Sequence, residues 1–289
     1  MPDRLSEILA HKRTEIDALD ERSLRRAAQA SPTPRDFLKA LSPTPLPEEE
    51  GNRVRQIRLI AELKRASPSK GMLAPHLDLF EVADIYMDNG AAAISVLTDE
   101  KFFLGKLETL QALRTSHPAR VPLLRKDFIL APVQLYETRA AGADAVLLIV
   151  AAFTDDSLLA ELHALACELG LTPLVEVHTA AEVGRALKIK GLELVGINNR
   201  NLATFEVTLQ TTEQLRPMIP ADITVIAESG IFTADDVSRL AAVDVDAVLV
   251  GEALVTALDI AAKVRELSGA NVKTTYHEGH KDTQRKSSA

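Results

Sequence analysis

The stretch that decides the fold is Gly142-Ala143-Asp144-Ala145-Val146-Leu147-Leu148-Ile149-Val150. A glycine in this position is typical of a helix end, and it leads directly into a run of aliphatic residues. Because the run is apolar at consecutive positions, it predicts a strand buried on both faces, as the strands of a parallel sheet are. A similar pattern returns in Val245-Asp246-Ala247-Val248-Leu249. Repeated helix-to-strand geometry explains this echo without a gene duplication.

Eight apolar runs of this kind follow one another, and amphipathic stretches long enough for a helix separate them. Alternation of strands and helices predicts an α/β fold with a parallel sheet. Eight such units within roughly 200 residues predict closure into a (β/α)8 TIM barrel. The alternative is an open, doubly wound sheet, but the Gly-x-Gly-x-x-Gly turn of a dinucleotide-binding sheet is missing. The runs are Ile57–Leu63, Ala92–Leu97, Val121–Leu124, Ala143–Val150, Thr172–Val177, Leu192–Ile197, Ile223–Ala227 and Ala247–Val250.

The chain is predicted to have three parts. Residues 1–50 read as a helical extension, because apolar residues such as Leu5, Ile8 and Leu9 recur at helical spacing. Residues 51–268 form the catalytic barrel, and residues 269–289 are a polar tail that we expect to be disordered.

Composition excludes several classes of protein. The 289-residue chain has a net charge of −8 and no long basic run before its last residues, so nucleic acid is not an expected partner. No run of about 18 apolar residues and no signal-peptide core occur, so we expect no membrane contact and a cytoplasmic location. Cys167 is the single cysteine, which fits a reducing compartment, and it is expected to be a small core residue.

Ionisable residues gather where the apolar runs end, which is where TIM barrels place their active sites. Because strand side chains alternate, Glu62 and Lys64 at the end of the first run should face the barrel axis together. By the same alternation Lys126 shares a face with Leu124. We expect burial and the nearby charge of Lys64 to lower the pKa of Lys126, which would suit it to donate a proton.

Further polar residues extend this predicted site. Glu176 ends the fifth run among apolar neighbours, so we expect its pKa to be raised, as a general acid or base requires. His178 shares the parity of Glu176 but lies beyond that strand, so we expect it either directly behind the reacting groups or at the surface. Asn198 and Arg200 share one face after the sixth run and could grip a carboxylate or a hydroxyl-rich substrate.

Glycines after the last two runs predict a phosphate site. Gly230 and Gly251 allow backbone N–H groups to approach an anion, and Ser229 adds a hydroxyl. No metal cluster, nucleophile elbow or nucleotide loop is present. The residues alone therefore predict acid–base chemistry on a phosphorylated, sugar-like substrate, without a metal or an organic cofactor.

Five motifs carry a more specific signal. They are Ala61-Glu62-Leu63-Lys64-Arg65-Ala66-Ser67-Pro68-Ser69-Lys70-Gly71, Val96-Leu97-Thr98-Asp99-Glu100-Lys101-Phe102-Phe103, Leu124-Arg125-Lys126-Asp127-Phe128, Gly196-Ile197-Asn198-Asn199-Arg200-Asn201-Leu202 and Glu228-Ser229-Gly230-Ile231. In this order they resemble the motifs of the indole-3-glycerol-phosphate synthase family of tryptophan biosynthesis, and the resemblance runs from about Leu5 to Leu254. It implies a barrel whose extra N-terminal helical segment lies over the catalytic face.

The resemblance also implies a reaction. A carboxy-lyase of this family closes the ring of 1-(2-carboxyphenylamino)-1-deoxyribulose 5-phosphate, then releases carbon dioxide and water to give indole-3-glycerol phosphate. It uses no cofactor. The expected partner is this phosphosugar–anthranilate substrate, and a monomer is expected.

The same resemblance assigns roles to residues. Lys126 matches the general acid of ring closure, Glu176 the acid/base group of dehydration, and Lys64 a lysine in contact with the substrate. Supporting catalytic positions are Glu62, Asn198 and Ser229. Substrate-binding positions are Arg200, Ser67, Phe103, Gly230, Gly251 and Glu252.

Two alternative functions stay open. One is a barrel like phosphoribosylanthranilate isomerase, which would need a cysteine and an aspartate at strand ends, whereas Cys167 lies in a predicted helix. The other is a non-catalytic phosphosugar-binding barrel, for which the complete lysine and glutamate set would be unnecessary.

Overall fold

Eight parallel strands close into a barrel, as the sequence predicts. The computed structural model describes residues 4–42, 53–67, 71–74, 77–118, 120–201, 204, 206–269 and 271–274. The barrel order is β2-β5-β6-β7-β8-β9-β10-β11, with β11 paired to β2, and every neighbouring pair is parallel. The strands are β2 Arg58–Leu63, β5 Ala93–Leu97, β6 Leu123–Lys126, β7 Ala145–Ile149, β8 Thr172–Val177, β9 Leu194–Asn198, β10 Thr224–Glu228 and β11 Ala247–Val250.

Side-chain alternation divides the core into two layers. Inward positions such as Ile60, Leu124 and Leu174 pack together inside the barrel. Outward positions such as Leu59 and Val175 pack beneath the helices. In β2, β6, β8 and β10 the inward row continues two residues further to an ionisable side chain at the carboxyl end of the strand, respectively Glu62, Lys126, Glu176 and Glu228.

Helices surround the barrel and begin at side-chain caps where the sequence provides them. Asp78, Thr179 and Thr233 accept backbone N–H bonds from the first turns of their helices. The helices of the barrel region are α4 Leu79–Asp88, α5 Glu100–Phe103, α6 Leu107–Ser116, α7 Pro132–Ala140, α8 Asp156–Glu168, α9 Ala180–Ala186, α10 Gln210–Leu215, α11 Ala234–Ala241, α12 Glu252–Val255 and α13 Ile260–Ser268, with 3-10 turns at Val150–Ala152 and Arg216–Met218. Cys167 is exposed on α8, so its predicted place in the core is wrong.

The N-terminal extension contacts three regions of the barrel. Its helices are α1 Arg4–Ile16, α2 Glu21–Ala30 and α3 Phe37–Leu41. Helix α1 lies over the catalytic face, whereas α2 runs along the wall, where the Arg25 guanidinium stacks 4.7 Å from the Tyr136 ring centroid of α7. Helix α3 closes the opposite end, because Phe37 and Leu41 are fully buried in the inner layer of the barrel.

Two buried charges fasten the extension. Asp144, fully buried before β7, accepts bonds from the backbone N–H of Arg35 at 2.5 Å and from its guanidinium at 2.7 and 2.9 Å. At the catalytic face Lys12 of α1, 2% exposed, lies 2.9 Å from Asp127 and 3.0 Å from Asp99. The extension is thus held at two places by ion pairs whose carboxylates are buried.

Short strands complete the fold. A two-stranded antiparallel sheet joins β1 Arg53–Gln56 to β12 Asn271–Thr274, and another joins β3 Ala66–Ser67 to β4 Gly71–Met72. The strand β12 falls in the segment expected to be disordered. It is paired through its backbone, which a search for apolar periodicity does not detect. The rest of that segment, residues 270 and 275–289, lies outside the described residues. Within the described chain, no helix has the length and apolar character that crossing a bilayer requires.

Candidate active site

A cavity of about 460 Å³ opens at the carboxyl ends of the barrel strands. Helix α1 contributes to its wall through Arg4, Leu5 and Ile8. Most of the residues predicted for the site line this one cavity: Glu62, Lys64, Phe103, Lys126, Glu176, Asn198, Arg200, Ser229, Gly230, Gly251 and Glu252. The side chain of Ser67 lies outside the described residues.

Lys126 occupies the centre of the ionisable cluster. Its Nζ lies 2.7 Å from Glu228 Oε2 and 3.2 Å from Glu176 Oε2. The strand β6 extends to Lys126, two residues further than the sequence predicted, so the side chain is fixed by a barrel strand. The three groups come from different strands and meet because each continues an inward row.

The predicted direction of the Lys126 pKa shift is wrong. Burial alone would lower this pKa, but the negative charges of the surrounding carboxylates, led by Glu228, raise it well above its ordinary range. Lys64, which was expected to repel Lys126, pairs instead with Glu62 at 3.1 Å. Lys126 is therefore a firmly protonated ammonium in the free site.

The predicted pKa shift of Glu176 is also in the wrong direction. Burial would raise the pKa of Glu176, but the positive charges of Lys126 and His178 lower it well below its ordinary range. In Glu228 the balance is reversed, since burial and the charge of Glu176 raise its pKa to about 7 although Lys126 opposes them. Of these two carboxyl groups, Glu228 is therefore the one that takes up a proton more readily.

Two glycines make room for the carboxylates. A Cβ at position 196, in β9, would lie 2.3 Å from Glu228 Oε1, and a Cβ at position 251 would lie 2.5 Å from Glu62 Oε1. Gly251 therefore has a steric role, in addition to the predicted approach of its N–H group to an anion. Close approach of another group is a general reason for a glycine within a strand.

Polar residues after β9 form one side of the cavity. Asn198 Oδ1 accepts the Arg200 backbone N–H at 3.0 Å, which ties the amide to the residue that follows two positions later. Its neighbour Asn199 is buried and donates from Nδ2 to the Ser229 carbonyl at 3.1 Å. Asn199 therefore joins the loop after β9 to the loop after β10.

The loops after β10 and β11 have the features of an anion site. Ser229 and Gly230 have φ values of 67° and 78°, a left-handed conformation that serine adopts only under strain. The short helix α12 begins at Gly251 without a side-chain cap, and this end of the helix lines the cavity. An anion at this place would be stabilised by the helix N-terminus.

Aromatic residues line the side of the cavity near α5. The rings of Phe103 and Phe128 lie 6.1 Å apart between centroids and are tilted by 39°. Together they give this side an apolar surface, which complements a planar ring better than a sugar.

Sequence reasoning missed two charged residues at this face of the barrel, Glu228 and Lys12. Glu228 shares the inward face of β10 with Ile226, so the alternation applied to the other strands would have found it. His178 is predicted to lie behind the reacting groups or at the surface, and the structure has it behind Glu176, with its side chain 6% exposed and 3.2 Å from that carboxylate. Lys12 gave no signal, because one lysine in an amphipathic helix usually faces water.

A closed parallel barrel with an ion-pair cluster at the carboxyl ends of its strands is the arrangement of a TIM-barrel enzyme. The sequence identifies the family within this class. The profile of the family described as "Indole-3-glycerol phosphate synthase" matches residues 5–267, and the chain belongs to this family.

Curated relatives carry the same family description. An "Indole-3-glycerol phosphate synthase" of Roseiflexus castenholzii is 49% identical over 279 residues, covering 93% of this chain and 99% of the relative. One from Dehalococcoides mccartyi is 54% identical over 214 residues, covering 74% of this chain and 82% of the relative.

Solved structures with low sequence identity support the fold alone. The 3-hexulose-6-phosphate synthase of Salmonella typhimurium has a TM-score of 0.60 at 19% identity and covers 74% of this chain and 98% of its own. The structure titled KGPDC from Streptococcus mutans has a TM-score of 0.55 at 14% identity and covers 73% and 94%.

Proposed function

We propose that this enzyme is a carboxy-lyase that converts 1-(2-carboxyphenylamino)-1-deoxyribulose 5-phosphate to indole-3-glycerol phosphate. The observation that carries the proposal is the placement of Lys126 between Glu176 and Glu228, opposite the Lys64–Glu62 pair, in one cavity. Family membership supplies the substrate, and the cavity has an apolar side for an aromatic ring and a helix N-terminus for a phosphate.

Ring closure requires an acid at the ketone oxygen. The aromatic carbon that bears the carboxylate forms a bond to the ketone carbon, and the carbonyl electron pair moves to oxygen. Lys126 stabilises this developing charge and transfers a proton to it. Its raised pKa does not prevent the transfer, because an alkoxide is a much stronger base than an amine. A protonated lysine that already stands in place provides this stabilisation without reorganisation.

Two losses complete the reaction. The bond from the ring to the carboxylate breaks, carbon dioxide leaves, and the electron pair restores the aromatic ring. The new hydroxyl then leaves as water with a proton from an ammonium group, a role that we assign to Lys64. Glu176, a carboxylate in the free site, accepts a proton from the methylene carbon beside the nitrogen, and the indole double bond forms.

The remaining groups would bind the substrate. Backbone N–H groups at Gly230 and Gly251, with the Ser229 hydroxyl, are the proposed phosphate ligands. Arg200 is the proposed partner of the anthranilate carboxylate or the sugar hydroxyls, and Phe103 is the proposed contact of the aromatic ring. In this proposal the protein works as a monomer and its partner is the small-molecule substrate.

The direct test is to mix the purified protein with the carboxyphenylamino-deoxyribulose phosphate and follow indole fluorescence. Lys126→Ala should reduce kcat by about 10²–10⁴-fold, the loss typical of a missing general acid. Substrate binding without turnover would favour the phosphosugar-binding alternative. Turnover of phosphoribosylanthranilate alone would favour the isomerase. Near wild-type kcat in Lys126→Ala would refute the role of that lysine.

A further inference from the structure

His178 lies behind the catalytic face and contacts two carboxylates. Its Nε2 is 3.2 Å from Glu176 Oε1, and its Nδ1 is 3.2 Å from Glu182 Oε2. The other oxygen of Glu176 is the one that pairs with Lys126. The residues that line the cavity do not include His178, so it would act on the substrate only through Glu176.

Helix α9 fixes the ring from behind. Glu182 accepts the His178 backbone N–H at 2.8 Å with the same Oε2 that contacts Nδ1. Its Oε1 accepts the Thr179 hydroxyl at 3.2 Å. Glu182 is thus held at three points on the first turn of the helix, and it fixes the orientation of the imidazole.

The contacts define the charge of the ring. A carboxylate oxygen only accepts hydrogens, and a neutral imidazole has one N–H group. Because a carboxylate lies near each ring nitrogen, the charged imidazolium, which carries a hydrogen on both nitrogens, is the form that these contacts favour. The contact with Glu176 is an ion pair whose ring N–H is not aligned for a hydrogen bond. Burial alone would lower the pKa of His178, but Glu176 and Glu182 raise it to about 10.

Among the described residues, the charges that raise the pKa of His178 are those of Glu176 and Glu182. The turn Val150–Ala152, which packs against both β8 and α9, carries only aliphatic side chains. The acids facing the ring are therefore Glu176 on its own strand and Glu182 on α9, with Lys126 beyond Glu176.

We infer that the Glu182–His178 pair is a positioning device that holds the Glu176 carboxylate in place and ionised. The inference rests on the proposed function, since it assigns Glu176 to proton transfer during dehydration. Without the positive charge of His178, only Lys126 would oppose the effect of burial on the pKa of Glu176. Glu176 would then accept a proton more readily in the free enzyme. The base would then be neutralised at a pH where the wild type is active.

Kinetics of His178→Gln and Glu182→Gln test the inference. Gln at position 178 keeps a donor near the Nε2 position but lacks the charge, and Gln at position 182 removes the charge that holds the imidazole protonated. The exposed Glu161→Gln on α8 is the control. We expect kcat to fall about 10–100-fold, as it does when outer partners of reactive groups are lost, with a smaller change in KM. We also expect the acidic limb of the kcat/KM profile to move up by about one pH unit or more.

A titration without substrate separates this inference from the proposed function. Nitrogen-15 NMR of the full chain, with the His178 signal assigned from His178→Gln, should show the ring charged until about pH 10. In Glu182→Gln the ring should titrate at a lower pH. Titration of wild-type His178 near its ordinary value of 6.5, or an unchanged pH profile in two folded variants, would overturn the inference. If the wild type failed the synthase assay but the titration still showed a charged His178, the proposed function would be wrong and the assignment of charge to His178 would remain.

Discussion

Replacing Gly196 by alanine tests whether the placement of Glu228 controls the reactive lysine. The added Cβ would lie 2.3 Å from Glu228 Oε1 and 3.1 Å from Leu174 Cδ1. Since non-bonded heavy atoms are most favourably placed about 3.5–4 Å apart, the carboxyl group has to retreat by about 1 Å. It would then leave its position 2.7 Å from Lys126 Nζ.

The substitution is expected to change both activity and stability, and separate assays measure the two effects. A displacement of about 1 Å in a reactive group reduces turnover by about 10²-fold, whereas overpacking a barrel interior costs about 1–3 kcal/mol. Stopped-flow indole fluorescence measures the first and urea unfolding the second. Gly184→Ala is the matched control, because Gly184 lies in α9 with nothing within 4 Å of its added Cβ. That variant should keep full activity and gain about 0.5–1 kcal/mol.

A double-mutant comparison decides the mechanism. If the alanine acts by displacing Glu228, the Gly196→Ala change should cost little further activity in a Glu228→Ala background, because coupled substitutions are not additive. An equal fold-loss in both backgrounds would refute the reasoning. So would a Gly196→Ala enzyme with wild-type kcat.

Two further predictions concern stability. Lys12→Met leaves Asp99 and Asp127 buried without their ammonium partner, so it should destabilise the protein by about 3–5 kcal/mol in urea unfolding; a loss below about 1 kcal/mol, the value of an exposed pair, would contradict this. The second uses pH: because the pKa of His178 is raised from 6.5 to about 10, its contribution to stability is complete below pH 6.5 and is lost as the pH rises through about 10. The difference in unfolding free energy between the wild type and His178→Gln should therefore shrink over this range, and a constant difference would argue against a charged His178.

The barrel could be predicted from the sequence because its strands are chemically distinct from the segments between them. Runs such as Ala143–Val150 are apolar at consecutive positions, and the alternation of side chains then follows from strand geometry alone. The same alternation puts Glu62 and Lys64 on one face from their spacing in the sequence. The same alternation applies to Glu228, which lies two positions after the inward Ile226. The sequence therefore contained the information needed to predict Glu228 as a site residue.

Other features depend on which groups meet in three dimensions. The expected pKa shifts were wrong because the charge on Lys126 depends on all of its neighbours, and the sequence does not show that Glu176 and Glu228 both reach it. The spacing of Phe37 and Leu41 predicts an apolar helix face but not its partner, so α3 could not be assigned to the opposite end of the barrel. Likewise, Lys12 looks like an ordinary surface lysine until Asp99 and Asp127 are placed beside it.

The position of α3 has a consequence for how the chain is made. Phe37 and Leu41 belong to the same inner apolar cluster as Ile226 and Leu249 of the last two strands, and Arg35 pairs with Asp144 across a separation of 109 residues. The ribosome releases the amino-terminal helices first. These helices have no barrel surface to pack against while the strands are still being synthesised. The helical extension is therefore synthesised before the barrel but can pack only once the barrel strands have formed. The same segment then closes one end of the barrel through α3 and covers the cavity at the other end through α1.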